Sequence, residues 1–237
     1  MRLSNLFFGL VSTSLVLMSG NSLNLSRSSF INSSAGLLSN SLLSKNTVSM
    51  QNTAPSEDQN TEYETNNPLT ISYYGEISSK NCLFLTDSLR KMDHQAKSLE
   101  LQYNYRPPIK LHIQSLGGEL MPSFYVCDFI KKMETPVHIY IDGFVASAAS
   151  LISVCGHQRI MTEHSFMLIH QLRSQSSGKF NEMKDEMKNL DFFMNNLKDI
   201  YLSNSYITPE RLDQLLATDI WISAQECLDL GLIDRII

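Results

Sequence analysis

Cysteine is scarce in this chain, and it is never paired in sequence. Cys82, Cys127, Cys155 and Cys227 stand far apart in apolar contexts with no Cys-x-x-Cys spacing. That distribution argues against a thiolate metal site or a disulfide framework and predicts buried free thiols. His94, His112, His138, His157 and His164 form no metal-ligand grouping either, so strand-face or surface roles are expected for them. Positive charge is also short: the net charge is −5 and no basic stripe is visible, which speaks against nucleic acid as a partner. The Gly-x-x-x-x-Gly-Lys-Ser/Thr pattern of a nucleotide phosphate loop is missing, so ATP is not expected as a cofactor of this chain.

Acidic residues are absent from Met1 to Ser56, where Arg2, Arg27 and Lys45 are the only charges and Ser, Asn and Leu dominate. Leu6 to Met18 is an apolar run behind Arg2 that ends at Ser19 and Gly20. Its length and its serines do not single it out as a membrane span, and it resembles a secretory signal core. The Ser-rich stretch that follows has transit-peptide character. Together they resemble the bipartite leaders that route proteins into plastids of secondary endosymbiotic origin, so plastid import is expected. Mitochondrial import, secretion and a retained signal anchor are the alternatives. Between Thr53 and Asn67 polar residues dominate, which predicts a disordered linker. The expected division is a leader and linker over 1–67 and one folded domain over 68–237.

What is present in that domain is an alternation of strand and helix patterns. Strands are predicted near 70–74, 110–114, 137–141, 159–161, 166–169 and 233–237. Helices are predicted near 80–98, 120–132, 147–155, 180–203, 209–216 and 224–230. Alternation of this kind implies an α/β fold with right-handed crossovers and a mostly parallel sheet. Thr208 before Pro209 reads as an N-cap, Ser223-Ala224-Gln225-Glu226 as a capping box, and Gly231 as the stop of the last helix. From Phe180 onward, Met183, Met187, Leu190, Phe193, Met194, Leu197, Ile200 and Tyr201 make one broad apolar stripe. A stripe of that length predicts a core or interface face.

Four short segments carry chemistry. Ser147 lies among tiny residues in Gly143-Phe144-Val145-Ala146-Ser147-Ala148-Ala149, between an apolar strand and an apolar helix. A serine on such a turn can be an exposed nucleophile at a helix start, or simply an N-cap. His170 ends the apolar run Ser165 to Ile169 and can serve as a base or as a satisfied core histidine. Asp219 sits in Ala217-Thr218-Asp219-Ile220-Trp221, either to orient that base or as a solvated turn carboxylate. Ser115-Leu116-Gly117-Gly118 follows a strand and opens a helix; its backbone N–H groups can bind an oxyanion with that of Ala148, or form a tight turn or phosphate cradle.

In this order the four segments resemble the Clp protease proteolytic subunit family, ClpP, from about Leu69 to Ile237. The family's Ser-Pro-Gly-Gly, its Gly-x-Ala-Ala-Ser-Met-Gly elbow, its Met-Ile-His-Gln-Pro strand and its closing Asp-x-Phe block all have counterparts here. Leu116 and Leu172 stand where the family has proline, and Ala148 and Ala149 where it has Met-Gly. Loss of two prolines loosens the loops that bracket a peptide groove.

The resemblance implies a ClpP/crotonase-like repeated β-β-α superhelix with a protruding handle helix. It also implies a serine endopeptidase with Ser147, His170 and Asp219 as its triad. Gly117 and Ala148 would be oxyanion donors, and Gly118, Leu120, Gln171 and Leu172 would flank the substrate. The segment 171–179 would be the strand and turn of the handle. Stacked heptameric rings of self or paralogous subunits, an AAA+ Clp ATPase and unfolded polypeptide substrates are the implied partners. A structural ring subunit of low activity is one alternative. A crotonase-fold acyl-CoA enzyme is another, disfavoured because that chemistry generally uses carboxylates in place of a serine and histidine pair.

Overall fold

The computed structural model describes residues 68–237, so the leader expected over 1–67 lies outside the described residues. The chain runs β1 (Thr70–Tyr74), α1 (Ser79–Tyr103), β2 (Ile109–Ser115), α2 (Leu120–Lys132), β3 (Val137–Ala146), α3 (Ala148–Val154) and β4 (Gln158–Met161). It continues with β5 (Phe166–Leu168), α4 (Phe180–Asn204), α5 (Pro209–Leu216), β6 (Trp221–Ser223), α6 (Ala224–Asp229) and β7 (Arg235–Ile236). The main sheet has the order β1-β2-β3-β4-β7, and every pairing along it is parallel. The α/β class and mostly parallel sheet expected from the alternation are present.

Strict alternation sets the faces of the sheet. Ile109, Leu111 and Ile113 of β2 and Val137, Ile139 and Ile141 of β3 are all fully buried, while Lys110, His112 and Gln114 turn to the other face. That polar face carries the histidine role expected from sequence: His112 Nδ1 lies 2.8 Å from Asp142 Oδ2, and its ring stacks on Tyr140 with centroids 4.7 Å apart. All four cysteines are free and buried. Burial pushes the Cys82 thiol up to about 11 and Cys227 up to about 12, so neither ionises near neutrality.

The third strand differs from expectation in a way that builds the site. The sequence pattern predicts an end to this strand near 141. Instead Gly143, at φ 84°, bends the strand and lets it continue to Ala146. The first half of β3 pairs with β4, and the second half pairs with β5. This switch of partner brings Ala146 opposite Leu168 and so carries Ser147 to the strand that leads into His170.

Three smaller expectations are corrected. β6 is a strand only through its antiparallel pairing with β5, a long-range contact that no local pattern announces. Ser223 caps α6 by accepting from Glu226 N–H at 3.2 Å, but the Glu226 carboxylate turns to Arg211 at 2.5 Å, so the reciprocal half of the capping box is not made. Residues 171–178 form no strand, because among the described residues no ladder partner lies alongside them. The long helix that follows has the character of a projecting arm: only Leu197 and Tyr201 of α4 are buried.

Candidate active site

The turn after β3 holds Ser147 at φ 59° and ψ −129°, a conformation that a residue with a Cβ rarely adopts. Ser147 stands at the N-cap position of α3, but its side chain makes no capping hydrogen bond and its dihedrals are not the extended ones of a capping serine. Its N–H is donated to Leu168 O at 2.9 Å, which pins the elbow to the end of β5. Ser147 as a whole is 2% exposed, and its hydroxyl has no hydrogen-bond partner. Strain and an unspent hydroxyl coincide at one residue, as they do at sites of chemistry.

His170 follows β5 by two residues and is 6% exposed. Its Nδ1 lies 3.1 Å from Asp219 Oδ1, and its Nε2 is buried without a partner. A carboxylate at Nδ1 selects the tautomer in which Nδ1 carries the proton and Nε2 is free to accept one. Gln171 N–H is donated to Leu216 O at 2.9 Å, tying the segment that carries His170 to the end of α5, just before Asp219. Asp219 is 67% exposed in the single chain, yet it is committed to His170.

Gly117 packs against the elbow. A Cβ on Gly117 would stand 2.6 Å from Ser147 Cβ and 3.0 Å from Ser147 Oγ, at a φ of +96°. Only glycine fits there. Its N–H, expected as an oxyanion donor, is donated to Ser115 Oγ at 3.1 Å. This local Ser turn is absent from the expectations drawn from sequence, although a serine two residues upstream is the signal for one. Ala148 begins α3, where the first N–H groups have no intrahelical acceptor.

The expected substrate-flanking residues divide by burial. Gly118 is pressed against the β1–α1 loop, and a Cβ there would come 2.0 Å from Ile77 O. Leu120 is fully buried in the core, so its side chain is taken up by packing. Leu116 is the exposed side chain of that turn. Gln171 is exposed, whereas Leu172 packs on the core and donates its N–H to Met194 Sδ at 3.5 Å. Among the described residues no group of three or more His, Cys, Asp or Glu is placed to hold a metal ion.

A parallel α/β sheet that carries a strained serine at the end of β3 and a carboxylate-paired histidine two residues past the end of the adjacent β5 has the parts of a hydrolase site. The sequence profile of the Clp protease family matches residues 66–237, and the chain belongs to that family. It is 31% identical over 134 residues to the ATP-dependent Clp protease proteolytic subunit 1 of Protochlamydia amoebophila, covering 55% of this chain and 65% of that relative. It is 30% identical over 155 residues to the subunit of the same name from Chlamydia abortus, covering 64% of this chain and 78% of the relative. Among solved structures, a ClpP1 mutant from Listeria monocytogenes superposes with a TM-score of 0.61 at 23% identity, covering 72% of this chain and 91% of the other. That last likeness establishes the fold.

Proposed function

We infer that this chain is the proteolytic subunit of an ATP-dependent Clp-type protease and works as a serine endopeptidase. The observation that carries the reading is the pair of unspent buried groups, Ser147 Oγ and His170 Nε2, with His170 Nδ1 already committed to Asp219. In this reading Ser147 Oγ attacks the carbonyl carbon of a peptide bond, and its proton passes to His170 Nε2. Asp219 holds the ring and stabilises the imidazolium that forms. Collapse of the tetrahedral intermediate breaks the C–N bond, and the proton on Nε2 goes to the leaving amine. Water, deprotonated by the same nitrogen, then hydrolyses the acyl-enzyme and restores Ser147.

The negative charge on the intermediate is met by the N–H groups of Ala148 and Gly117, the latter exchanging Ser115 Oγ for the oxyanion. The exposed side chains of Leu116 and Gln171 flank an extended polypeptide at this site. No resident cofactor enters the chemistry. Unfolding of substrates falls to a separate AAA+ Clp ATPase that consumes ATP, and the subunit works in stacked heptameric rings with itself or with paralogous subunits. The exposed apolar stripe of α4 supports such self-association. The acid-free leader supports delivery to a plastid.

Labelling with a fluorophosphonate probe tests the assignment. Wild type is expected to be labelled and to cleave a fluorogenic peptide, while Ser147→Ala loses both. Equal labelling of the two proteins would refute the role of Ser147. N-terminal sequencing of the native protein tests the leader: a mature start upstream of Ser56 that retains the apolar run would exclude import by a cleaved presequence.

A further inference from the structure

Tyr201 is one of the two buried residues of α4, and its phenol is 2.7 Å from Ser150 Oγ. The Ser150 hydroxyl lies 2.7 Å from Ser147 O and 3.4 Å from Leu168 O. Proton accounting gives this chain one direction. A carbonyl only accepts, so the single Ser150 proton goes to Ser147 O, and the Tyr201 hydroxyl must be the donor to Ser150. Burial raises the Tyr201 phenol well above its ordinary value, so it keeps its proton over the whole working pH range.

The Ser147 carbonyl also accepts the N–H groups of Ser150 at 3.0 Å and Leu151 at 3.4 Å. Its direction is therefore set by the first turn of α3 and by the Ser150 hydroxyl together. That direction matters because the Ser147–Ala148 peptide is planar and trans, so its N–H points opposite its C=O. Holding the carbonyl toward Ser150 aims the Ala148 N–H the other way, toward the Ser147 side of the turn. The Ser150 oxygen also lies 3.4 Å from Leu168 O, the acceptor of Ser147 N–H.

We propose that Tyr201 and Ser150 are positioning residues for the oxyanion donor: their hydroxyls hold the Ser147–Ala148 peptide plane so that Ala148 N–H faces the attacked carbonyl. The proposal rests on the serine endopeptidase reading above. Neither residue touches substrate. Tyr201 acts through Ser150, and Ser150 acts through the peptide it holds. The arrangement also ties α4 to the elbow by a directed hydrogen-bond chain in place of packing alone.

The test uses the full assembled protein and four variants: Tyr201→Phe, Ser150→Ala, their double, and Ser147→Ala as reference. Tyr201→Phe removes one oxygen atom and keeps the ring's packing. It is expected to lower kcat on a fluorogenic peptide about tenfold with KM within about twofold, a smaller effect than outright loss of an oxyanion donor. Ser150→Ala is expected to lower kcat at least as far, and the double variant no further than Ser150→Ala, because one chain has been cut twice. Inhibition by a peptide aldehyde, which forms an oxyanion on Ser147, should weaken about tenfold in step, while binding of the noncovalent product peptide stays unchanged. Wild-type kcat in Tyr201→Phe and Ser150→Ala, with Ser147→Ala inactive, overturns this proposal alone. Wild-type turnover in Ser147→Ala overturns the underlying assignment and this proposal with it. A fall in thermal stability with kcat and aldehyde affinity unchanged would mark the pair as merely structural and also overturns it.

Discussion

The unusual residues around the elbow all answer to one geometric demand. Ser147 occupies a strained conformation, and such strain persists only where neighbours over-determine it. Gly117 meets that demand by having no side chain at the closest approach. For Gly117→Ala the new Cβ would sit 2.6 Å from Ser147 Cβ and 2.8 Å from Ala146 O, both backbone-anchored atoms. The expected outcome is a loss of kcat of about 10²-fold or more. Destabilisation of about 1–3 kcal/mol should accompany it, read from peptide turnover and urea melts of the same preparation. Gly118→Ala clashes with Ile77 O instead, so the main expected loss is stability.

At the scale of elements, α4 is the part of the chain with the least to hold it. Phe180, Met183 and Met187 are exposed on one face, and only the C-terminal half of the helix contributes buried side chains. Methionine and phenylalanine on one face suit an adaptable contact with another copy of the chain. Met187→Glu is therefore expected to lower the native mass in analytical ultracentrifugation and to reduce turnover. The circular dichroism of the protein should stay unchanged, since the side chain is exposed in the single chain.

β7 is attached by a different device. Arg159 of β4 pairs with Asp234 at 2.5 Å and donates to Gly231 O at 2.9 Å and to Asn204 O, so one guanidinium joins β4, the end of α4 and the turn before β7. Partial burial works against the charged Asp234, but the hydrogen bonds and charge of Arg159 outweigh it and hold the carboxyl below its ordinary value.

For the molecule as a whole, that depressed carboxyl sets an acid limit. A group whose folded value lies below its unfolded value stabilises the fold above the unfolded value, about 3.9 for Asp. The stabilisation is lost as pH falls through the folded value. Wild type should thus show urea midpoints that are flat from about pH 7 to 5 with respect to this group and that drop below about pH 4. Asp234→Asn should lower stability at neutral pH by roughly 1 kcal/mol, since solvent screens a partly exposed pair, and should lose less than wild type on acidification. A wild-type and variant difference that does not narrow at low pH would contradict the assignment. Asp142, held below its ordinary value by His112 and Tyr74 against its partial burial, acts in the same direction.

Much of the fold and of the site is legible in local pattern. The bounds of β1, α2 and α5 follow from it, and Thr208 with Pro209 announces the start of α5 as the structure has it. Ser147, His170 and Asp219 stand out as candidates through residue type and neighbours, but it is the resemblance of their segments to the Clp protease family that sets them above an N-cap, a core histidine and a turn carboxylate. What local pattern does not supply is direction and distant pairing. β6 exists only because β5 lies beside it, and β3 runs past Gly143 only because β5 offers a new partner. The turn of Gly117 N–H toward Ser115, the meeting of Asp219 with His170 Nδ1, and the reach of Tyr201 to the elbow depend on where peptide planes and side chains come to rest in the packed molecule. The sequence by itself determined which chemical groups are available and on which kinds of element they stand. The tertiary structure alone decided which of them meet, because hydrogen bonds between distant segments form only after the core has fixed the orientation of the strands and helices that carry them.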